Sequence, residues 1–128
     1  MFKKVDCVLF RVPDLEKGLA FYRDHLHHKL SWRRGNSAAG LRMDESETEI
    51  VLMEEKGMKM EVDLLVDSAD AAVRDFEKAG GKVVEGPFDI PIGRCAIVKD
   101  PWDNTLVILD TSKGLLKVDA QQNVLKEE

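Results

Sequence analysis

Two short segments hold most of the residues whose side chains could do chemistry. Glu61 and Asp63 lie two residues apart, and Cys7 and Arg11 lie four apart, in runs that read as extended strands. Such spacing places the members of each pair on one face of a strand. Carboxylates on a partly buried face need a partner, because an uncompensated buried charge is costly. Arg11 can serve as an internal partner; alternatively the carboxylates meet a cationic ligand, or one acts as a general base.

Cys7 and the three histidines of the chain have simpler interpretations. A reactive thiol needs nearby cationic groups, and Arg11 lies about 13 Å from Cys7 along an extended strand. An inert buried cysteine is therefore favoured. His25, His27 and His28 fall at the end of a predicted helix, where a protonated histidine interacts favourably with the helix dipole. We interpret them as surface residues and not as a metal site.

The composition excludes several classes of protein. The chain has 128 residues, of which 44% are hydrophobic and 34% charged, and this suits one folded domain with a modest core. A net charge of −5 argues against general nucleic-acid binding, because phosphate contacts need a basic face. We see no signal peptide and no apolar run of about 18 residues, so we expect no membrane segment. Two cysteines, Cys7 and Cys95, fit a reduced cytoplasmic protein.

An internal repeat organises the elements that would position these residues. Val12–Leu30 aligns with Val66–Val84 at an offset of 54 residues, and Asp44–Met53 aligns with Asp100–Leu109 at an offset of 56. Self-similarity in the same order along the chain indicates two related units. Each unit reads as a strand, a helix and three further strands.

Periodicity predicts where these elements lie. The predicted strands are 5–12, 29–33, 38–43, 49–53, 61–66, 82–85, 94–99 and 105–109. The first helix follows Asp14 and carries Leu15, Leu19, Tyr22 and Leu26 on its apolar face. The second begins after a Ser68 cap and stops at Gly80. The two modules span about residues 5–55 and 59–111, and the extension 112–128 could add a hairpin or an edge strand.

The sequence also carries motifs of a known family. The first half reads Val-Asp-Cys-Val-Leu-Phe-Arg-Val-Pro-Asp-Leu-Glu-Lys-Gly-Leu-Ala-Phe-Tyr over Val5–Tyr22, and the second contains Gly86-Pro87, Gly93-Arg94 and Asp100-Pro101-Trp102-Asp103-Asn104. Over about residues 5–111 the chain resembles the vicinal oxygen chelate superfamily, also called the glyoxalase, bleomycin-resistance and dioxygenase superfamily. Asp103 stands where the family usually has Gly. The resemblance implies an α+β fold in which two tandem βαβββ modules form curved mixed sheets around a cup, with the helices on the convex side.

The resemblance implies which side chains face which way. Val8, Phe10, Val62 and Leu64 would face the helices. The cup, where a small-molecule ligand would bind, would be lined by Cys7, Leu9, Arg11, Trp32, Glu49, Val51, Glu61, Asp63, Val107 and Leu109. An apolar lining with a few polar groups is typical of ligand pockets. Trp32 would either stack on a planar ligand or pack as an ordinary core or interface residue.

The resemblance also implies where a divalent metal would be held. The superfamily's metal enzymes take one ligand, usually His, Glu or Gln, from the first and the fourth strand of each half. The matching positions here are Cys7, Val51, Glu61 and Val107. Valine cannot ligate a metal, and a catalytic metal normally has three protein ligands. We therefore expect no metal cofactor, although a displaced set that includes Glu49 and Asp63 stays open.

Three functions follow from these expectations. The favoured one is a metal-free small-molecule-binding protein of the bleomycin-resistance type, working as a homodimer. The second is an enzyme, either a divalent-metal-dependent lyase, isomerase or dioxygenase with displaced ligands, or one that uses Glu61 and Asp63 as an acid–base pair. The third is a partner-binding or regulatory module that uses the sheet edges and the C-terminal extension. Whether the chain catalyses a reaction is left open by the sequence.

Overall fold

The computed structural model describes residues 1–54 and 56–125. The strands are β1 Lys4–Arg11, β2 Leu30–Arg34, β3 Ala38–Arg42, β4 Glu49–Met53, β5 Met60–Leu65, β6 Lys82–Ile90, β7 Gly93–Lys99 and β8 Thr105–Leu109. Helix α1 covers Leu15–Leu19 and continues as a π-helical turn over Ala20–His25, and α2 covers Ala69–Lys78. The last three residues of the predicted extension lie outside the described part of the chain.

The chain divides into two compact units. The first unit comprises Asp6–Glu61 and the chain from Leu116, and the second comprises Met1–Val5 and Val62–Leu115. In the first unit the strand order is β2-β3-β4-β1, with β1 and β4 parallel and the other pairs antiparallel. In the second unit the order is β5-β8-β7-β6, with β5 and β8 parallel. The predicted α+β fold with two βαβββ modules is confirmed.

The repeat is visible in the hydrogen bonds of the two units. Val12 N donates to Met53 O at 3.0 Å, and Val66 N donates to Leu109 O at 2.9 Å. Val66 is 54 residues after Val12, and Leu109 is 56 residues after Met53. The two offsets found in the sequence therefore describe the same backbone contact in both units.

The helices also begin in the same way. Asp14 Oδ1 accepts a hydrogen bond from Lys17 N at 2.9 Å, and Ser68 Oγ accepts one from Ala71 N at 3.2 Å. Each side chain satisfies a backbone N–H that has no partner inside its own helix. These caps fix the point at which the chain leaves the first strand of each unit and turns into a helix.

One face of each sheet packs against its helix. The first core contains Leu15, Leu19, Ala39, Leu41, Ile50 and Leu52, with Phe10 and Tyr22 against it. The second contains Val66, Ala69, Ala72, Val73, Ala96, Val98 and Ile108, with Leu64 and Phe76 against it. Phe10 and Leu64 therefore face the helices as predicted. Val62 shares the face of Leu64 by strand alternation, but it is 39% exposed and lies outside the second core, because α2 packs over Leu64 and Val66 instead.

The first helix departs from its predicted course. Leu26 N donates to Phe21 O at 3.0 Å, a bond that spans five residues as in a π-helix. This wider turn rotates the following residues away from the core. Leu26 is 47% exposed and Phe21 is 53% exposed. The prediction that Leu26 lies on the apolar face is therefore wrong, because it assumed a uniform 3.6-residue period.

The sixth strand is longer than predicted. It continues past Glu85 to Ile90, with irregular register between Val83 and Glu85 and between Glu85 and Phe88. Gly and Pro in a strand pattern commonly mark such irregularities. The predicted strand ended at Glu85, whereas the observed strand passes through Gly86-Pro87.

Candidate functional site

The helix-free face of the first unit contains several of the predicted site residues. Cys7, Leu9 and Val51 are each 5% exposed and form a cluster with Trp32 and Met53 packed against it. Leu9 on β1 lies opposite Val51 on β4 in the strand register. Parallel pairing and side-chain alternation thus place these predicted residues on one surface.

Trp32 and Glu49 are joined on the same face. Trp32 Nε1 donates to Glu49 Oε1 at 2.9 Å, in a partly buried contact. The indole lies against Gly40, where a Cβ atom would collide with the ring. The guanidinium carbon of Arg34 lies over the ring, 5.7 Å from its centroid. The contacts therefore hold Trp32 as a packed residue that orients the Glu49 carboxylate, and a stacking ligand would have to displace Arg34.

Arg11 and Glu61 form the predicted internal ion pair. Arg11 Nη2 lies 3.6 Å from Glu61 Oε1, and the two side chains are only 18% and 14% exposed. Arg11 Nε also donates to Met58 O at 3.2 Å. Gly57 lies against the guanidinium, where a Cβ atom would collide with it. The loop between β4 and β5 therefore encloses Arg11 and brings Glu61 to it.

The remaining predicted residues lie on the second unit's sheet. Asp63 on β5 is 9% exposed and lies opposite Val107 on β8. Leu109 lies opposite Leu65 in the same pair of strands. By alternation these four residues lie on the face opposite Leu64 and Ile108, which belong to the α2 core. A site shared by the two units stays a prediction.

Comparison with known proteins identifies the family. The model of the Glyoxalase/Bleomycin resistance protein/Dioxygenase superfamily matches residues 4–108. The chain belongs to this superfamily. No curated protein matches the sequence. Among the described residues no helix is both long and apolar enough to cross a membrane.

Several solved structures of low sequence identity share the fold of this chain. A methylmalonyl-CoA epimerase from Mycobacterium tuberculosis has a TM-score of 0.71 and 18% identity, with 87% of this chain and 89% of that chain covered. A Streptomyces coelicolor methylmalonyl-CoA epimerase variant in complex with 2-nitronate-propionyl-CoA has a TM-score of 0.72 and 14% identity, with 88% of this chain and 99% of that chain covered. A Legionella pneumophila structure described as NAD-dependent benzaldehyde dehydrogenase has a TM-score of 0.66 and 23% identity, with 83% of this chain and 98% of that chain covered. At these identities the likeness establishes the fold alone.

The residues at the superfamily's metal positions do not fit a divalent ion. Val51 and Val107 offer no lone pair, and Glu61 already lies beside the Arg11 guanidinium. A catalytic metal normally needs three protein ligands. Within residues 1–54 and 56–125 no group of three or more His, Cys, Asp or Glu side chains is arranged to hold a metal. The four positions therefore lack the donor set that a catalytic divalent ion requires.

The histidines serve local contacts near the first helix. His28 Nδ1 lies 3.0 Å from Arg42 O, and His27 adopts a positive φ of 65° just after the π-helical turn. His25 ends that turn. His25 and His27 are exposed, as interpreted from the sequence, whereas His28 is partly buried.

Sequence reasoning missed one buried acidic residue, Asp110. It is 3% exposed and accepts hydrogen bonds from Ala69 N, Arg94 N, Ser112 N and Ser112 Oγ at 2.8, 2.9, 3.1 and 2.7 Å. Burial raises the pKa of Asp110, but these hydrogen bonds outweigh burial and hold the pKa below its ordinary value. Asp110 ties the end of β8 to the start of α2.

The repeat carried a signal for this role. Glu54 lies 56 residues before Asp110, and Glu54 Oε2 accepts a hydrogen bond from Leu15 N at 2.9 Å. Leu15 and Ala69 are the first residues of their helices. In both units an acidic residue just after the fourth strand therefore binds the first N–H of the helix.

Proposed function

We propose that this chain is a metal-free small-molecule-binding member of the superfamily, with the ligand held against the helix-free sheet faces. The observation that carries this proposal is the pair Val51 and Val107. They occupy equivalent fourth-strand positions, are 5% and 4% exposed, and present methyl groups where the superfamily's metal enzymes have donors. An apolar surface at these points favours binding over metal-assisted chemistry.

The polar groups on the first unit's face indicate what a ligand would offer. Leu9, Val51 and Met53 are apolar, whereas the Glu49 carboxylate is oriented by Trp32 Nε1. A few fixed polar groups on an apolar surface are typical of ligand sites. The ligand class supported by this arrangement is a small, largely apolar molecule with a hydrogen-bond donor for Glu49.

The proposal includes a cytoplasmic homodimer. The cytoplasm is supported by the small number of cysteines, Cys7 and Cys95 alone, which suits a reducing compartment. The homodimer is supported by the resemblance to the bleomycin-resistance type. Sedimentation analysis of the purified chain tests the dimer, and a single monomeric species would contradict it.

Metal analysis tests the central claim. Protein purified without chelator is expected to hold far less than one equivalent of zinc, nickel, iron or manganese. A stoichiometric metal would overturn the proposal. If added metal restored a turnover, or if Glu61→Gln abolished one, the enzymatic alternative would replace the proposal.

A thermal-shift screen of small molecules tests binding. A true ligand at 100 times its Kd should add about 2.7 kcal/mol to the free energy of unfolding. For such a ligand, Glu49→Gln is expected to weaken binding by about tenfold or more, because a hydrogen bond to a charged group contributes about 1.5–3 kcal/mol. Glu45→Gln, in an exposed turn, is the matched control and should leave the Kd unchanged. Equal effects of both variants would exclude Glu49 from the site.

A further inference from the structure

The chain beyond the second module folds back on itself. Val118 and Val124 form an antiparallel bridge, and Leu125 N donates to Lys117 O at 2.9 Å. Between them Asp119 Oδ1 accepts hydrogen bonds from Gln121 N and Asn123 N at 2.9 and 3.0 Å. We call residues 116–125 the tail. Its turn is closed by its own hydrogen bonds.

The tail pairs with the outer edge of β2. Arg33 N donates to Gln122 O at 2.8 Å, and Val124 N donates to Arg33 O at 2.8 Å. Together these bonds form a parallel bridge between Arg33 and Asn123. Because β2 is the terminal strand of the first unit's sheet and its other side pairs with β3, the tail occupies an edge that pairs with no other strand among residues 1–54 and 56–125.

The side chain of Arg33 fixes this edge. Arg33 Nε donates to Gly35 O at 2.8 Å, and Nη2 donates to Asn36 Oδ1 at 3.0 Å and to Glu16 Oε1. The side chain is 18% exposed. Arg33 is therefore anchored locally, and its backbone N–H and C=O are held in position for an added strand.

We propose that the outer edge of β2 at Arg33 is a β-augmentation site and that the tail is the strand that fills it. An open strand edge is a template for pairing with another extended segment. One bridge with two backbone bonds is a small contact, so the tail is displaceable. The site is separate from the proposed small-molecule site and does not depend on it.

A full-length variant tests the docking. Val124→Pro removes the N–H that donates to Arg33 O, whereas Val124→Thr keeps it and is the matched control. In Val124→Pro the amide of Arg33 should exchange about fivefold faster or more, as expected for loss of one hydrogen bond. Trypsin cleavage after Lys117 should accelerate as well. Unchanged exchange at Arg33 in Val124→Pro would overturn the proposal.

A peptide tests whether the edge accepts a strand from outside. A dye-labelled peptide of residues 116–125 is added to the Val124→Pro protein, and binding is followed by fluorescence anisotropy. The peptide should bind, and the same peptide with an N-methyl group on Val124 should bind about fivefold more weakly. Self-association of the Val124→Pro protein beyond the parent's mass, reversed by the peptide, would also support the site. No binding, or equal binding of both peptides, would contradict it.

Discussion

Glu61 stands at one of the predicted metal positions, and here Arg11 supplies the neighbouring positive charge. The guanidinium is held by Met58 O and by the close approach of Gly57. The carboxylate is therefore compensated from within the chain. Glu61 is therefore satisfied without a metal, beside predicted metal positions that hold Cys7, Val51 and Val107.

Breaking this pair should destabilise the fold. Arg11→Leu leaves Glu61 beside an apolar side chain, and we expect a loss of about 2 kcal/mol, below the roughly 3–5 kcal/mol of a fully buried pair because both side chains keep some exposure. The measurement is the free energy of unfolding in urea. The double variant Arg11→Leu/Glu61→Leu should be more stable than Arg11→Leu alone. If the double variant recovers nothing, the two charges are not coupled.

Asp110 and Glu54 perform one task in two environments. Each binds the first N–H of its helix, but Asp110 is buried and accepts three further hydrogen bonds, whereas Glu54 is exposed. Asp110→Asn should therefore cost about 2 kcal/mol, and Glu54→Gln only about 0.5 kcal/mol. Urea unfolding at neutral pH measures both, and equal losses would refute the difference in role.

The stabilising effect of Asp110 should depend on pH. Its folded pKa lies below its ordinary value, so its contribution is fully present above the unfolded pKa of about 3.9. The contribution is lost as the pH falls through the folded pKa. The stability difference between the parent and Asp110→Asn should accordingly be largest above about pH 4 and shrink under acid. A difference that stays constant down to pH 2 would show that ionisation of Asp110 is irrelevant.

At the scale of elements, the β2–β3 pair determines how Glu49 is presented. Trp32 on β2 lies opposite Gly40 on β3, and only a residue without Cβ leaves room for the indole. The hydrogen bond to Glu49 depends on this fit. A glycine in a strand, which normally weakens it, here makes space for a large side chain.

Gly40→Ala should displace Trp32 and cost about 1–3 kcal/mol, as expected for overpacking. Fluorescence of Trp32 in a Trp102→Phe background should shift as the Trp32–Glu49 contact is lost. Gly40→Ala/Trp32→Leu, which removes the obstructed ring, is the control and should regain part of the stability. Unchanged emission in Gly40→Ala would contradict the packing described for Trp32.

Elements were predicted best where a single sequence pattern, strand alternation or helix capping, determined them. Strands β4 and β8 alternate between two faces and have the predicted bounds, and Ser68 caps α2 as expected. The first helix was predicted less well, since it changes to a π-helical turn over Ala20–His25, in which the Tyr22 ring stacks on Phe10 with the ring centroids 5.8 Å apart. Such a contact joins distant parts of the sequence and leaves no periodic signal.

At the scale of the whole molecule, duplication was the most informative property of the sequence. The repeat indicated two units with the same order of elements, and the family resemblance implied how those elements fold. Much of the candidate site could not be predicted from the sequence, because the contacts of Arg11 with Met58 and of Trp32 with Gly40 depend on loop paths and side-chain reach. The docking of the tail on Arg33 could not be predicted either, since a single backbone bridge leaves no pattern in the sequence.

The two compact units do not coincide with the two halves of the chain. Met1–Val5 belongs to the second unit, where Lys3 N donates to Leu65 O and Lys3 Nζ contacts Asp67, both at 2.8 Å. The tail belongs to the first unit. A polypeptide cut between Glu61 and Val62 would therefore give two fragments that each lack part of a unit. Neither fragment should fold alone, whereas co-expression of the two fragments should reconstitute the folded protein.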